Sequence, residues 1–164
     1  MRIAVGSDHA GFPLKQVLAA YLAELGHLVD DMGTDTEDPV DYPAYGAAVG
    51  EAVASGRADL GLCVCGTGIG IGIAANKVRG VRAAVVHDVT TARLAREHNE
   101  ANVLCLGGRV VGAEVAREAV TTFLAAEHAG GRHHRRVEEI ASIESGGPVH
   151  ALGASAPASG RARA

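Results

Sequence analysis

A three-layer α/β domain built on a five-stranded parallel sheet is the fold this sequence predicts, on three observations. Five short apolar runs recur along the chain, separated by stretches with helical periodicity. Strands that alternate with helices pair in parallel. The strongest run is apolar throughout, as in a strand covered on both faces. The chain holds 22 glycines, and many of them cluster directly after that run, between a strand and a helix.

Each element follows in order. Residues 2–6 read as a buried strand. Residues 14–25 read as an amphipathic helix, with Leu14, Val17, Leu18, Tyr21, Leu22 and Leu25 at i, i+3, i+4, i+7 spacing and Gly26 as the stop. Residues 28–31 form a short second strand. Residues 33–43 are acidic and carry Pro39 and Pro43, so they read as a loop. Residues 44–54 form a helix with Tyr45, Ala48, Val49, Ala52 and Val53 on one face. Residues 59–65 are the third strand, and the helix after the glycine run starts at Ile73 and reaches Lys77. Strands four and five are 82–86 and 103–106, with a helix over 90–99 between them. Helices over 113–126 and 132–145 complete a Rossmann-like alternation. One domain is therefore expected over 1–146. From 147 to 164 Ala, Ser, Gly, Pro and Arg dominate, and this tail is expected to be disordered.

Bulk properties exclude several classes. With 164 residues and 48% apolar content, one domain with a sizeable core is expected. Aromatics are 3% with no Trp, so Ala, Val, Ile and Leu must build that core. A net charge of −4 does not suggest nucleic acid or an anionic membrane as partner. No apolar run approaches the ~20 residues of a membrane span. Three cysteines without a secretory signal fit free thiols in a reducing cytoplasm.

In parallel α/β sheets the site lies at the carboxyl ends of the strands. The residues standing there are Ser7-Asp8-His9, Cys65-Gly66-Thr67-Gly68, His87-Asp88 and Gly107-Gly108-Arg109. The run from Cys65 to Gly72 has glycine at every second position, which lets backbone N–H groups approach an anion. The next helix adds its positive end. The dinucleotide fingerprint fails here, because its third glycine place falls on Ile71 or Ile73. The P-loop fails for want of a terminal Gly-Lys, and Gly6 to Gly11 runs into Phe12-Pro13. Close helix-on-strand packing is the plain structural alternative for these glycines. Cys65 is the one thiol at a strand end beside a helix start, a setting that favours thiolate; burial as a small hydrophobe is its alternative. Cys63 and Cys105 sit inside strands and read as inert core. No second ligand pair gives Cys63 and Cys65 metal-site spacing. Asp8 and His9 can cap the first helix as well as bind a ligand. His98-Asn99 ends a helix. Arg132 and Arg136, four apart, share a helix face and can grip one phosphate or simply form a solvated basic patch.

Together these residues resemble the type B ribose-5-phosphate isomerase family, which includes allose- and galactose-phosphate isomerases. The matching stretches are Gly6-Ser-Asp-His-Ala-Gly-Phe, Asp41-Tyr-Pro, Cys65-Gly-Thr-Gly-Ile-Gly, Ala74-Ala-Asn-Lys, Arg96-Glu-His-Asn, Gly107-Gly-Arg-Val-Val-Gly and Gly131-Arg-His-His-Arg-Arg-Val. They cover residues 1 to about 145 in the family's order.

The resemblance implies roles. Cys65 matches the general base that moves a proton between C1 and C2. The place of the glutamate used by other members is Ile71, so the chain resembles the cysteine subtype. His98 matches the residue that opens the furanose ring, with Thr67 assisting. Asp8 and His9 match sugar- and phosphate-side contacts, Gly66, Thr67, Gly68, Ile69 and Gly70 the backbone cradle, and Asn99 a sugar contact. Arg109, Arg132 and Arg136 match polar or phosphate ligands, and Tyr42 lines the pocket. No cofactor and no metal are expected, because hydrogen moves within one substrate. A ten-residue helix spans roughly 15 Å, so His98 should end far from its own Cys65. A homodimer, or a tetramer, with sites shared between subunits is therefore expected, with the last helix exchanged or packed across the interface. Three alternatives stay open: an isomerase of a six-carbon sugar phosphate, a non-catalytic phosphate- or nucleotide-binding module, and a thiol redox protein.

Overall fold

The computed structural model describes residues 1–148. Eleven elements follow one another: β1 (Arg2–Ser7), α1 (Phe12–Glu24), β2 (Leu28–Asp31), α2 (Tyr42–Ala54), β3 (Leu60–Cys65), α3 (Ile69–Ala75), β4 (Ala83–Val85), α4 (Val89–Asn99), β5 (Val103–Gly107), α5 (Ala113–Ala125) and α6 (Arg132–Glu144). The five strands form one parallel sheet in the order β2-β1-β3-β5-β4. The expected fold class is thus observed. Of the expected tail, residues 149–164 lie outside the described residues.

Alternation along the central strands sorts their side chains into two cores. Ile3, Val5, Leu60, Leu62, Val64, Leu104 and Leu106 face α1, α4 and α5, where Leu18, Leu22, Ala119 and Phe123 are buried against them. Ala4, Cys63, Cys65, Val103 and Cys105 face α2 and α3, meeting Val49, Ala52, Ile71 and Ala75. The first core holds the bulk, and the second is thin and rich in small side chains. Three layers result, with α6 laid against α4 of the same chain.

Three helix starts differ from expectation, for two reasons. α1 begins at Phe12 and α2 at Tyr42, each two residues before the expected start, because Pro13 and Pro43 occupy the first turn. A proline there loses only an N–H that no helical carbonyl would accept. α3 begins at Ile69, inside the glycine run. Glycine weakens a helix by about 1 kcal/mol per residue, but here burial of Ile71, Gly72 and Ala75 against the sheet overrides that propensity.

The open edge of the sheet is sutured by one side chain. Asn76, just past α3, accepts the Ala83 N–H at 2.8 Å and donates to the Ala83 carbonyl at 2.9 Å. It pairs with the outer side of β4 as a neighbouring strand would.

Candidate active site

The sheet order decides which strand ends meet. β1, β3 and β5 are neighbours, so the loops after Ser7, Cys65 and Gly107 converge. The chain reverses its direction of winding between β1 and β3, where open α/β sheets form their crevice. An open cleft of about 500 Å³ lies there, lined by Asp8, His9, Ala10, Tyr42, Cys65, Gly66, Thr67, Ile69, Gly70, Ile73 and Arg109. β4 stands at the sheet edge, and His87-Asp88 after it does not join the cleft. Asp88 instead caps α4, accepting the Thr91 N–H at 2.8 Å. That bond holds its carboxyl below the ordinary 3.8.

The loops are tied together by backbone bonds. Gly108 N–H donates to the Cys65 carbonyl at 2.8 Å, and Arg109 N–H to the Gly66 carbonyl at 3.1 Å. Asp8 is 6% exposed and its Oδ1 accepts the Gly11 N–H at 2.9 Å, closing the turn into α1. Asp8 therefore shapes the turn as well as lining the cleft. The Val40 N–H donates to His9 Nδ1 at 3.1 Å, so the acidic loop orients the ring.

Cys65 is 4% exposed and its Sγ accepts the Gly68 N–H at 3.1 Å. Thr67 Oγ1 accepts the Ile69 N–H at 3.3 Å, which leaves its hydroxyl proton free to donate elsewhere. The first-turn N–H groups of Gly70 and Ile71 have no acceptor within α3. The glycine run divides between two jobs. Gly68 has φ 79° and its Cα packs against the Leu106 and Gly107 backbone; it is buried rather than cleft-lining. At Gly70 a Cβ would lie 2.5 Å from the Tyr42 ring, so the missing side chain lets Tyr42 lie over the loop. Packing and cradle are thus both true of the cluster, at different glycines. Ile71 is fully buried, with its side chain toward α2 rather than the cleft.

The remaining thiols are structural. Cys63 and Cys105 are register partners on β3 and β5 and are fully buried. Contact with the Cys105 thiol, and then burial, push the Cys63 thiol well above its ordinary range, so it stays protonated. All three cysteines are free. Among the described residues no group of three or more His, Cys, Asp or Glu side chains could hold a metal ion. Nor is any helix of theirs long and apolar enough to cross a membrane.

Besides Gly68, four expected site residues are not brought to the cleft within the chain. Arg82, immediately before β4, donates from Nε to the carbonyls of Asn99 and Glu100, at 3.2 and 3.0 Å. The end of α4 is therefore at the amino edge of the sheet, opposite the cleft. His98 and Asn99 stand there, and the start of α6 joins them with Arg132 and Arg136. The rings of His98 and His133 stack with centroids 4.0 Å apart and planes 8° apart. Sequence reasoning missed Ala10, Ile73, Val40 and His133. Ala10 left a signal in the stretch Gly6-Ser-Asp-His-Ala-Gly-Phe, and His133 in its place between the two arginines.

A family model described as Ribose/Galactose Isomerase matches residues 3–140. Ribose-5-phosphate isomerase B of Escherichia coli is 50% identical over 143 residues, 87% of this chain and 96% of that protein. A galactose-6-phosphate isomerase subunit of Clostridium acetobutylicum is 46% identical over 128 residues, 78% of this chain and 74% of that protein. The solved structure of Clostridium thermocellum ribose-5-phosphate isomerase B superposes with a TM-score of 0.88 at 52% identity, covering 89% of this chain and 99% of that one. The match runs from β1 into α6, through every loop that forms the cleft, and so the chain belongs to the ribose/galactose isomerase family.

Proposed function

We propose that this protein is an aldose–ketose isomerase that interconverts ribose 5-phosphate and ribulose 5-phosphate through an enediolate. The observation that carries the reading is the meeting of one thiol, a glycine loop with unspent N–H groups, and Arg109 in a single cleft. Removing a proton next to a carbonyl needs a base held against that carbon, and the enediolate needs donors already in place. Cys65 is the base. Its thiolate takes the C2 proton of the open-chain aldose and returns it to C1, while the hydroxyl proton on O2 passes to O1. The loop N–H groups around Gly66–Gly70 face the developing oxyanion. Asp8, His9 and Tyr42 hold the sugar. The net change is an internal transfer of hydrogen, so no redox cofactor takes part, and with the loop carrying the charge no metal is required.

Ribose 5-phosphate exists mainly as a furanose, which must open first. His98 protonates the ring oxygen as its bond to C1 breaks, and the C1 hydroxyl, hydrogen-bonded to Thr67, gives up its proton to solvent as the aldehyde forms. Because His98 and Asn99 stand at the opposite end of their own sheet, they serve the cleft of a second copy. Arg132 and Arg136, which stand beside His98, are carried with it and join the Arg109 of that second copy around the phosphate. The protein is accordingly a homodimer at least, working in the cytoplasm, where its three thiols stay reduced.

The test is conversion of ribose 5-phosphate in chelator-treated buffer by wild type and Cys65→Ala. Wild-type turnover that falls by about 10²–10⁴-fold in the variant, with an unchanged melting temperature, supports both reaction and base. Full turnover in the variant removes Cys65 as base. The galactose-6-phosphate isomerase relative favours a second reading, a six-carbon substrate. A higher kcat/KM on allose or galactose 6-phosphate than on ribose 5-phosphate would select it.

A further inference from the structure

The stack between α4 and α6 involves a residue to which the foregoing mechanism gives no task. His98 sits in the last turn of α4, and a lone imidazole there would turn broadly about its terminal torsion. His133 covers one face of that ring at 4.0 Å, nearly parallel. His133 is itself held firmly. The segment leading to α6 is tied to α4 by the Ala129 N–H donating to the Glu97 carbonyl at 2.9 Å, and His128 Nδ1 lies 3.1 Å from the same oxygen. Arg132 Nε donates to His133 Nε2 at 3.4 Å. That nitrogen therefore offers a lone pair, and the ring carries its proton on Nδ1, which is buried without a partner.

We propose that His133 is a positioning residue for His98, fixing by face-to-face stacking the plane in which His98 offers its proton to the furanose oxygen. The inference rests on the isomerase reading above. Geometry explains why the partner ring is neutral. Two imidazolium rings 4.0 Å apart would repel, so the stack holds one proton at low cost. Desolvation first, then His98, Arg132, Arg136 and His128, lower the tendency of His133 to take it.

The alternative is that His133 only fastens α6 to α4, and the experiment must separate the two. His133→Ala removes the ring. His133→Phe keeps a flat face of similar size and removes both nitrogens. Two readouts are taken on the full chain. The first is the ring-current displacement of the His98 ring proton in NMR, which reports the stack without reference to activity. The second compares turnover of ribose 5-phosphate with exchange of the C1 hydrogen of ribulose 5-phosphate in D₂O. Ribulose 5-phosphate is open-chain and reaches the enediolate with no ring step. The expected result is that His133→Ala abolishes the displacement and lowers ribose 5-phosphate turnover about tenfold, while exchange stays within about twofold of wild type. His133→Phe restores most of both. Equal loss of turnover and exchange in His133→Ala, no loss of either, or no recovery in His133→Phe each overturns the proposal. If wild type converts no ribose 5-phosphate, the ribose 5-phosphate reading fails, while the NMR readout still decides whether His133 orders His98.

Discussion

At Gly66 and Gly70 the same residue type has opposite constraints. A Cβ at Gly70 would meet the Tyr42 ring at 2.5 Å, whereas at Gly66 the nearest atoms, on Ala10 and Arg109, are 3.7 Å away. Gly70→Ala is expected to displace Tyr42 from the loop and raise KM several-fold. Gly66→Ala is expected to fold with an unchanged melting temperature, because its methyl group enters open cleft. Its cost falls on substrate instead, as a loss of kcat/KM by about 1–2 kcal/mol in transition-state terms. Steady-state kinetics and thermal unfolding on both variants check the contrast. Cys63 makes the same point in the thiol class. It shares a strand and a face with Cys65, but its contact with Cys105 and its full burial keep it protonated. An alkylating reagent is therefore expected to label Cys65 first and to abolish turnover when it does.

Elements set stability, and the two faces of the sheet do so differently. Phe123 of α5 is the largest fully buried side chain and anchors the thicker core. Phe123→Ala should cost about 3–5 kcal/mol and lower the unfolding midpoint by roughly 6–20 °C. Helix α4 depends on its N-cap. Asp88 titrates below its ordinary 3.8 in the folded protein because it accepts the Thr91 N–H. The unfolded state therefore binds more protons through that window, so the stabilisation from the cap is complete above 3.8 and fades as pH falls through the lowered value. The melting-temperature gap between wild type and Asp88→Ala should accordingly be open near neutral pH and close in acid. Since α4 carries His98 at its other end, the same variant tests whether order at the cap reaches the stack.

Across the whole molecule, the proposed chemistry divides between the two ends of one sheet. The cleft with Cys65 is at the carboxyl ends of the strands, and His98, Asn99, Arg132 and Arg136 gather near the amino ends. If a second copy completes each site, Cys65→Ala and His98→Asn homodimers are both impaired, yet mixing them after subunit exchange regains activity. Each mixed dimer would hold one intact site, so random exchange should recover about a quarter of wild-type turnover. No recovery, with exchange shown by a mass tag, would place both residues' chemistry within one chain.

Much of this was legible in the residues alone, and the reasons are local. Apolar runs and helical spacing specify strands and helices through side-chain period, so all five strands and the class of fold could be read directly. The cleft residues that follow β1, β3 and β5 were legible because a chain leaving a strand end must place its next residues there. The helix starts at Phe12, Tyr42 and Ile69 fall earlier than residue spacing suggests, because packing against the sheet and tolerance of the first turn outweigh intrinsic propensity. Strand order is not written in any local pattern. It arises from how two helical layers cover one twisted sheet, and it alone puts β1, β3 and β5 together while leaving β4 and His87-Asp88 at the edge. The sequence by itself thus determined the elements, the family and most residues of the cleft, since these depend on neighbours along the chain. Only the tertiary structure decided that Gly68 packs while Gly70 makes room, that Asp88 caps a helix, and that His133 lies on His98. Those outcomes depend on contacts between residues far apart in the chain, whose separation in space no local spacing records.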